Sequence, residues 1–285
     1  MIQSPSHLPD GTLIGVIDGP VHPAGAFGLL PVRLPSGLAG DLRDGSLAGR
    51  YFLARCGAQS EWERAERWDI YWRRPLFVVD RRLGRDESEE RWQVALPQTD
   101  DPGYRWLAEL PVGAPINLLG PLGKGLSLAA TTRNLLVLAD GPNLALALPA
   151  LDAALDRGGK VVLLLDLGAD PAAHAPLPLE LLPISVEVQV VHGDEEWAGR
   201  VAAMLRWADQ LYSVQSARRQ GPLAQMIRQE RFQLEPGFAQ MRADAPLVCG
   251  MGACLACAVP LPSGGFTRSC VHGPVFDLER LVGKK

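Results

Sequence analysis

Short apolar or alternating segments separated by turn residues make up most of the chain from about residue 12 to about residue 127. Clusters such as Asp18-Gly19-Pro20 and Pro35-Ser36-Gly37 lie between these segments and mark turns. Many short strands at this spacing favour a small antiparallel β-barrel or sandwich. The predicted strands cover residues 13–17, 28–33, 51–55, 76–80, 91–96 and 115–119.

The pattern changes at about residue 132, where short apolar strands begin to alternate with helical segments. Strands are predicted at 135–139, 160–165, 186–191 and, weakly, 210–214, with helices over 143–157 and 195–208. This alternation implies right-handed βαβ units and a parallel sheet. The segment 172–183, rich in Ala, Leu and Pro, predicts a loop, and 222–242 predicts a helix and linker.

We therefore predict a multi-domain α+β protein in three parts. An antiparallel β-barrel covers residues 1–128, and a Rossmann-like α/β domain with a parallel sheet covers 129–225. A linker helix and a small cysteine-rich domain occupy 226–285.

Composition narrows the class of protein. Hydrophobic residues make up 47% of the chain, and 28 Lys and Arg against 32 Asp and Glu give a net charge of −4. This balance argues against disorder and against a broad basic surface for nucleic acid. No apolar run reaches the roughly 18–20 residues of a membrane span. The first residues lack the basic and apolar regions of a signal peptide, so we expect a cytoplasmic protein.

Four of the five cysteines lie close together near the carboxyl end. Cys249, Cys254, Cys257 and Cys270 follow the spacing C-x4-C-x2-C-x12-C. The x4/x2 part is typical of plant-type [2Fe–2S] sites, in which a loop wraps the cluster and a distant thiolate completes it. Gly250 and Gly252 lack a Cβ, so the loop backbone is expected to adopt positive φ and to aim N–H groups at sulfur.

Other interpretations of these cysteines stay open. Structural zinc also takes four cysteines but normally uses two C-x2–4-C pairs, and disulfides fit poorly without an export signal. His272 follows Cys270 closely, but four thiols make it more typical of a surface position or a neighbour of the ligands than of a ligand. The fifth cysteine, Cys56, ends the strand-like segment Tyr51-Phe-Leu-Ala-Arg-Cys56 and is interpreted as a small buried hydrophobe.

The tail motif resembles one family in particular. Cys249-Gly-Met-Gly-Ala-Cys254-Leu-Ala-Cys257, followed by Cys270-Val-His-Gly-Pro-Val-Phe276, is similar to the end of the electron-transfer subunit of NAD-dependent dihydroorotate dehydrogenase. Those subunits belong to the ferredoxin–NADP reductase superfamily. Further segments match family motifs in the same order: 48–52 its Pro-Gly-Gln-Phe strand, 73–77 its Arg-Arg-Pro-x-Ser flavin motif, and 107–126 its Leu-Gly-Pro-Leu-Gly-Asn-Gly-Phe segment.

The resemblance implies an oxidoreductase subunit of pyrimidine biosynthesis that works by electron transport. A flavoprotein barrel would hold FAD, the α/β domain would take NAD, and the cysteines would ligate the [2Fe–2S] cluster. The partner would be a dihydroorotate dehydrogenase-like catalytic subunit in a hetero-oligomer, and no catalytic residue is assigned to this chain. The residues that match or align with the family's flavin contacts are Arg74, Pro75, Leu76, Phe77, Gly103 and Tyr104.

The chain departs from the family at several of these positions. Phe77 replaces a serine near the reactive edge of the flavin, and Tyr104 replaces the threonine of a Gly-Thr phosphate motif. The glycine-rich nicotinamide turn becomes Ala139-Asp140-Gly141-Pro142-Asn143, and 213–216 replaces a Cys-Gly-Pro segment. These changes weaken the expectation of FAD and, more strongly, of NAD. An adaptor without flavin or nicotinamide and a zinc-stabilised scaffolding subunit are therefore the alternatives.

An aromatic segment between residues 57 and 74 is a further departure from the family. Trp62, Trp68 and Trp72 could stack on a flavin or form a partner interface. We favour a third interpretation, in which they anchor the loop on the barrel.

Overall fold

The computed structural model describes residues 8–25, 27–38, 47–57, 60, 62–63, 66–84, 88–169 and 178–283. Six strands of the amino-terminal part close into an antiparallel ring of order β1-β7-β4-β5-β6-β3, because β3 also pairs with β1. β2 extends β3 at the side of this ring. The strands are β1 Leu13–Ile17, β2 His22–Ala24, β3 Phe27–Pro35, β4 Tyr51–Ala54, β5 Arg74–Leu83, β6 Glu89–Pro97 and β7 Pro115–Leu122.

Alternation of side chains fills the barrel. In β3, Leu30, Val32 and Leu34 are buried with the side chains of the other strands, as the period of two in a strand requires. Phe52 and Trp92 meet edge to face inside, with ring centroids 5.3 Å apart. Helix α1, Pro102–Ala108, crosses between β6 and β7 and buries Leu107 in the same core.

The second part is a six-stranded sheet of order β10-β9-β8-β11-β12-β15, parallel except at β15, the tail strand Val275–Asp277. α2 packs on one face and against the barrel, and α3 and α4 cover the other face. Its elements up to β12 are β8 Asn134–Asp140, α2 Leu144–Leu155, β9 Lys160–Asp166, β10 Glu187–Val191, α3 Gly193–Leu205, β11 Gln210–Ser213, α4 Gln220–Arg231 and β12 Ala239–Arg242, with 3-10 turns at Gly141–Asn143, Leu179–Leu181 and Ala217–Arg219.

The tail returns to this sheet after the cysteine loop. It contains the hairpin β13 Ala258–Pro260 and β14 Phe266–Arg268, then α5 Ser269–His272, β15 Val275–Asp277 and α6 Leu278–Val282. β15 pairs antiparallel with β12 and buries Phe276 beside Ala243. The predicted boundary at 225/226 falls within α4, and β12 and β15 complete the sheet, so the second and third predicted parts share one hydrogen-bonded layer.

The predicted fold class, a barrel followed by an α/β domain and a small cysteine-rich tail, is confirmed. β5 begins two residues before the prediction, at Arg74, and the short β2 was not predicted. Much of the loop predicted at 172–183 lies outside the described residues. No helix in the described ranges has the length and apolar character needed to cross a membrane.

Candidate functional site

The four tail thiols fall into two pairs. The Sγ atoms of Cys257 and Cys270 lie 3.2 Å apart, and both residues are buried. Cys249 is half-buried and accepts a hydrogen bond from the exposed Cys254. Within the part of the chain that the structure describes, no three His, Cys, Asp or Glu side chains surround a single ion position. Two pairs suit a cluster of two irons, in which each iron takes two protein thiolates.

Glycines allow the cysteine loop to lie close to the barrel. Gly250 and Gly252 have φ of +72° and +77°, as predicted. A Cβ on Gly250 would lie 2.8 Å from Leu122 Cδ1, and one on Gly252 would lie 2.8 Å from Val271 Cγ2. The loop therefore needs glycine at both positions for conformation and for space.

Backbone N–H groups point at the sulfur atoms. Burial opposes ionisation of the Cys249 thiol, but hydrogen bonds from the N–H groups of Cys254, Met251 and Ala253 lower its pKa to about 6. The Cys270 N–H donates to Cys257 Sγ at 3.4 Å. Thiolates held by several N–H donors are the form that iron binds, and the same donors tune a bound cluster.

The inner thiol pair lies in an apolar pocket against the barrel. Cys257 and Cys270 form one buried cluster with Tyr51, Leu53 and Leu247. The hydroxyl groups of Tyr51 and Ser269 are buried there without a hydrogen-bond partner among the described residues. Burial first, and then the charges of Cys270, Cys257 and Cys249, raise the pKa of Tyr51. The Tyr51 hydroxyl is therefore a buried donor that remains unused beside the sulfur atoms, and a cluster would supply an acceptor for it.

The predicted flavin residues also come together, at the start of β5 and the first turn of α1. A Cβ on Gly103 would lie 2.8 Å from Arg74 Nε, so the arginine lies flat against this glycine. Arg74 lines a cavity, but its Nε donates to Asp101 Oδ1 at 2.8 Å. The Tyr104 hydroxyl donates to the Pro75 carbonyl oxygen at 3.1 Å.

Two cavities meet at Pro75 and Tyr104. One, of about 420 Å³, lies between the barrel and the α/β part and is lined by Phe77, Asn143 and Arg242 among others. The other, of about 680 Å³, reaches Trp72 and Cys254. Together these spaces are large enough for a flavin ring beside the cysteine loop. The two cavities therefore have room for the flavin ring. Arg74, which would bind the flavin pyrophosphate, is already paired with Asp101.

Leu76 lies in the barrel core, whereas Phe77 lines the cleft. Leu76 is fully buried in the barrel core. Phe77 is half-buried at the cavity, where its ring centroid lies 5.6 Å from that of Tyr51 and 5.6 Å from the Arg242 guanidinium carbon. The Phe77 ring therefore lines the cleft as well as packing against buried hydrophobic residues.

The nicotinamide end carries a half-buried acid at the expected turn. Asp140 accepts hydrogen bonds from the Asn143 side chain at 2.6 Å and from the Ser216 N–H at 3.2 Å. Burial raises the pKa of this carboxyl, against the effect of those hydrogen bonds. At the end of the next strand, Asp166 pairs with the buried Arg219. The polar groups at these strand ends bind one another, so the turn fits a dinucleotide phosphate poorly.

The aromatic segment does not anchor its loop on the barrel. Trp62, Trp68 and Trp72 are 86%, 67% and 55% exposed, so the interpretation that we favoured is wrong. Tyr71 lies between the latter two, with ring centroids 4.9 and 5.6 Å away, so these side chains pack mainly on one another.

Sequence reasoning missed Asp101, Tyr51 and Arg242 as site residues. A signal for Asp101 was available, since an Asp before a proline-initiated helix is a favoured N-cap, and it does cap α1. Tyr51 was visible only as a tyrosine at the phenylalanine position of a family motif. Arg242 had no local signal, because it reaches the cleft through β12 of the distant sheet.

Comparison with known proteins gives one family match, in the tail. Residues 245–282 match the family described as the iron-sulfur cluster binding domain of dihydroorotate dehydrogenase B. The electron transfer subunit of dihydroorotate dehydrogenase B (NAD(+)) from Shouchella clausii is 25% identical over 225 residues, 75% of this chain and 81% of that protein. The subunit from Geobacillus kaustophilus is 27% identical over 185 residues, 63% of this chain and 70% of that protein. These matches confirm the predicted resemblance.

Solved structures share the architecture. A chain of the NADH-dependent reduced ferredoxin-NADP oxidoreductase has a TM-score of 0.65 and 19% identity, covering 94% of this chain and 89% of that chain. The cytochrome b5 reductase domain of Ulva prolifera nitrate reductase has a TM-score of 0.52 and 13% identity, covering 80% and 97%. At these identities the likeness establishes the fold, a reductase-type barrel joined to an α/β domain.

Proposed function

We propose that this chain, a divergent relative of the dihydroorotate dehydrogenase B electron-transfer subunits, relays single electrons through a [2Fe–2S] cluster on Cys249, Cys254, Cys257 and Cys270. The electrons would pass between a flavin and nicotinamide side and the flavin-bearing dehydrogenase subunit of a hetero-oligomer. The observation that carries the proposal is the arrangement of the thiols as a buried pair and a more exposed pair in the segment that matches an iron-sulfur domain.

The residues around the thiols suit this work. A [2Fe–2S] cluster supplies reversible one-electron chemistry, and its potential depends on hydrogen bonds to sulfur and on burial. The N–H groups of Met251, Ala253 and Cys254 stabilise negative charge on Cys249. Leu53 and Leu247 exclude water from the inner pair. Cys254 is exposed, so the outer edge of the loop lies at the surface where a redox partner could approach.

A direct test is anaerobic purification of the whole chain with analysis of iron, sulfide, zinc and flavin in one sample. The proposal expects iron and sulfide in equal amounts and a visible spectrum that bleaches on reduction. A colourless, zinc-loaded protein would contradict it and favour a scaffolding role.

A second function, a relay without flavin, is supported by one specific observation. Arg74, the residue expected to bind the flavin pyrophosphate, is paired with Asp101. Cluster absorption without bound flavin in the same sample would support this adaptor role. Stoichiometric FAD that NADH reduces would support the full flavin and nicotinamide route instead.

A further inference from the structure

Three donors that suit a phosphate oxygen converge on one carboxylate oxygen of this chain. Asp101 Oδ1 accepts hydrogen bonds from Arg74 Nε at 2.8 Å, from the Gly103 N–H at 2.8 Å and from the Tyr104 N–H at 3.0 Å. An arginine beside the first N–H groups of a helix is a common way to hold a phosphate. Here these donors already have an anionic partner within the protein.

The two Nη atoms of Arg74 also donate hydrogen bonds within the protein. One Nη donates to the Trp72 carbonyl oxygen at 2.5 Å and the other to the Asp69 carbonyl oxygen at 3.0 Å. The Arg74 side chain also lies close to Gly103, where an added Cβ would be 2.8 Å from Nε and 2.9 Å from the guanidinium carbon. Each nitrogen of this guanidinium therefore donates one hydrogen bond within the protein, which uses three of its five N–H groups.

The carboxylate carries a charge that a pyrophosphate would meet. Burial opposes ionisation of Asp101, but the hydrogen bonds from Arg74, Tyr104 and Gly103 together hold the pKa of this carboxyl below its usual range. Asp101 is therefore ionised at neutral pH. A second anion that binds the same donors has to displace the Asp101 carboxylate. The two negative charges also repel each other in this partly buried position.

We propose that Asp101 is an internal stand-in for the flavin pyrophosphate and that it sets how tightly this chain holds FAD. FAD fills the cleft fully only when its pyrophosphate takes Arg74 from Asp101. The pyrophosphate then contributes little net affinity, so FAD and riboflavin, which lacks phosphate, bind with similar strength. The inference rests on the flavin arm of the proposed function and is independent of the cluster.

The test is to titrate the full, cluster-loaded chain with FAD and, separately, with riboflavin. Flavin fluorescence reports the fraction of flavin bound in each titration. Asp101→Asn keeps the size of the side chain and removes its charge, and we expect FAD affinity to rise about tenfold or more while riboflavin affinity stays unchanged. Asp100→Asn, at the exposed neighbouring position, is the matched control and should bind both flavins as the wild type does.

A double variant identifies the donor. Adding Arg74→Gln to Asp101→Asn should remove the gain in FAD affinity, because the gain depends on a freed arginine. Asp101 also caps α1, so Asp101→Ser, which retains a capping oxygen, serves if the asparagine variant is poorly folded.

Two results overturn the inference. One is wild-type protein that already binds FAD far more tightly than riboflavin. The other is that neither Asp101 variant binds FAD better than the wild type, including the case in which none of them binds flavin. Iron and sulfide measured in the same samples report on the cluster separately, so a failure of the cluster proposal is distinguishable from a failure at Asp101.

Discussion

The Sγ atoms of Cys257 and Cys270 are 3.2 Å apart although the two residues are separated by twelve others along the chain. The contact brings together the end of the cysteine loop and α5, which begins one residue before Cys270. Cys257 and Cys270 are only 1% and 4% exposed, whereas Cys254 is exposed. A cluster held here would thus have one protected side against the barrel and one accessible side.

Replacement of an outer thiol should prevent normal cluster assembly. Cys254→Ser removes a ligand at the exposed edge, and we expect iron and sulfide contents to fall well below half of the wild-type values. Cys56→Ser is the matched control, because burial raises the pKa of the Cys56 thiol to about 12 and it lies in the barrel core. Wild-type iron and sulfide in Cys254→Ser would remove that residue from the ligand set.

A methyl group at Gly250 should destabilise the loop more than the same change at a free turn. Gly250→Ala and Gly264→Ala both impose a left-handed conformation on alanine, which costs about 1–2 kcal/mol. Of the two, Gly250 also faces a close neighbour, since its Cβ would lie 2.8 Å from Leu122 Cδ1, whereas no atom of the described residues lies within 4 Å of a Cβ at Gly264. We expect Gly250→Ala to lose about 1–3 kcal/mol more in free energy of unfolding. Equal losses of unfolding free energy in the two variants would show that the Leu122 side chain moves aside without cost.

The Tyr51 hydroxyl should raise the reduction potential of a cluster on the inner thiols. It is buried among them without a partner in the described chain, and a donor to cluster sulfur stabilises the reduced state. Tyr51→Phe should therefore lower the potential, by about 59 mV if the reduction equilibrium shifts tenfold. Redox titration followed by electron paramagnetic resonance measures the shift.

Tyr212 provides the control for this measurement. It is also fully buried with an unpartnered hydroxyl, but it lies in the parallel sheet and packs in a different core. Tyr212→Phe should leave the potential unchanged. A potential in Tyr51→Phe equal to that of the wild type would show that the hydroxyl does not reach the sulfur atoms.

The half-buried carboxyl of Asp140 should make the stability of the protein depend on pH. Burial raises the pKa of Asp140 above that of the unfolded chain, so this group favours the folded state most at low pH. Its contribution becomes less favourable as the pH rises from the unfolded pKa through the folded one. Asn carries no charge but accepts only one of the two hydrogen bonds that Asp140 accepts. The melting temperature of Asp140→Asn relative to the wild type should therefore be higher at pH 7 than near pH 4. An equal difference at both pH values would mean that the charge of Asp140 does not affect stability.

Local patterns were enough to predict the barrel, the α/β domain and the cysteine loop. Alternation in β3 and the short apolar strand β8 follow directly from period and burial. Positive φ at Gly250 and Gly252 was predictable because a loop wrapped around sulfur needs close backbone approach. These features depend on residues near one another in the chain.

The flavin cleft was harder to predict because its chemistry depends on distant partners. Arg74 matches a family motif that predicts a flavin contact. In the structure its Nε donates instead to Asp101, which lies 27 positions away in the chain. Similarly, no local pattern shows that Trp68 and Trp72 remain exposed, since a tryptophan in a loop is equally compatible with either environment. Such pairings follow from how β5, β6 and α1 meet.

The most direct test of the account is the iron and sulfide content of anaerobically purified protein, with a paramagnetic resonance spectrum after one-electron reduction. A [2Fe–2S] relay predicts about two irons and two sulfides per chain and the signal of one unpaired electron shared by the pair. Protein that contains zinc without sulfide, and gives no such signal on reduction, would contradict it.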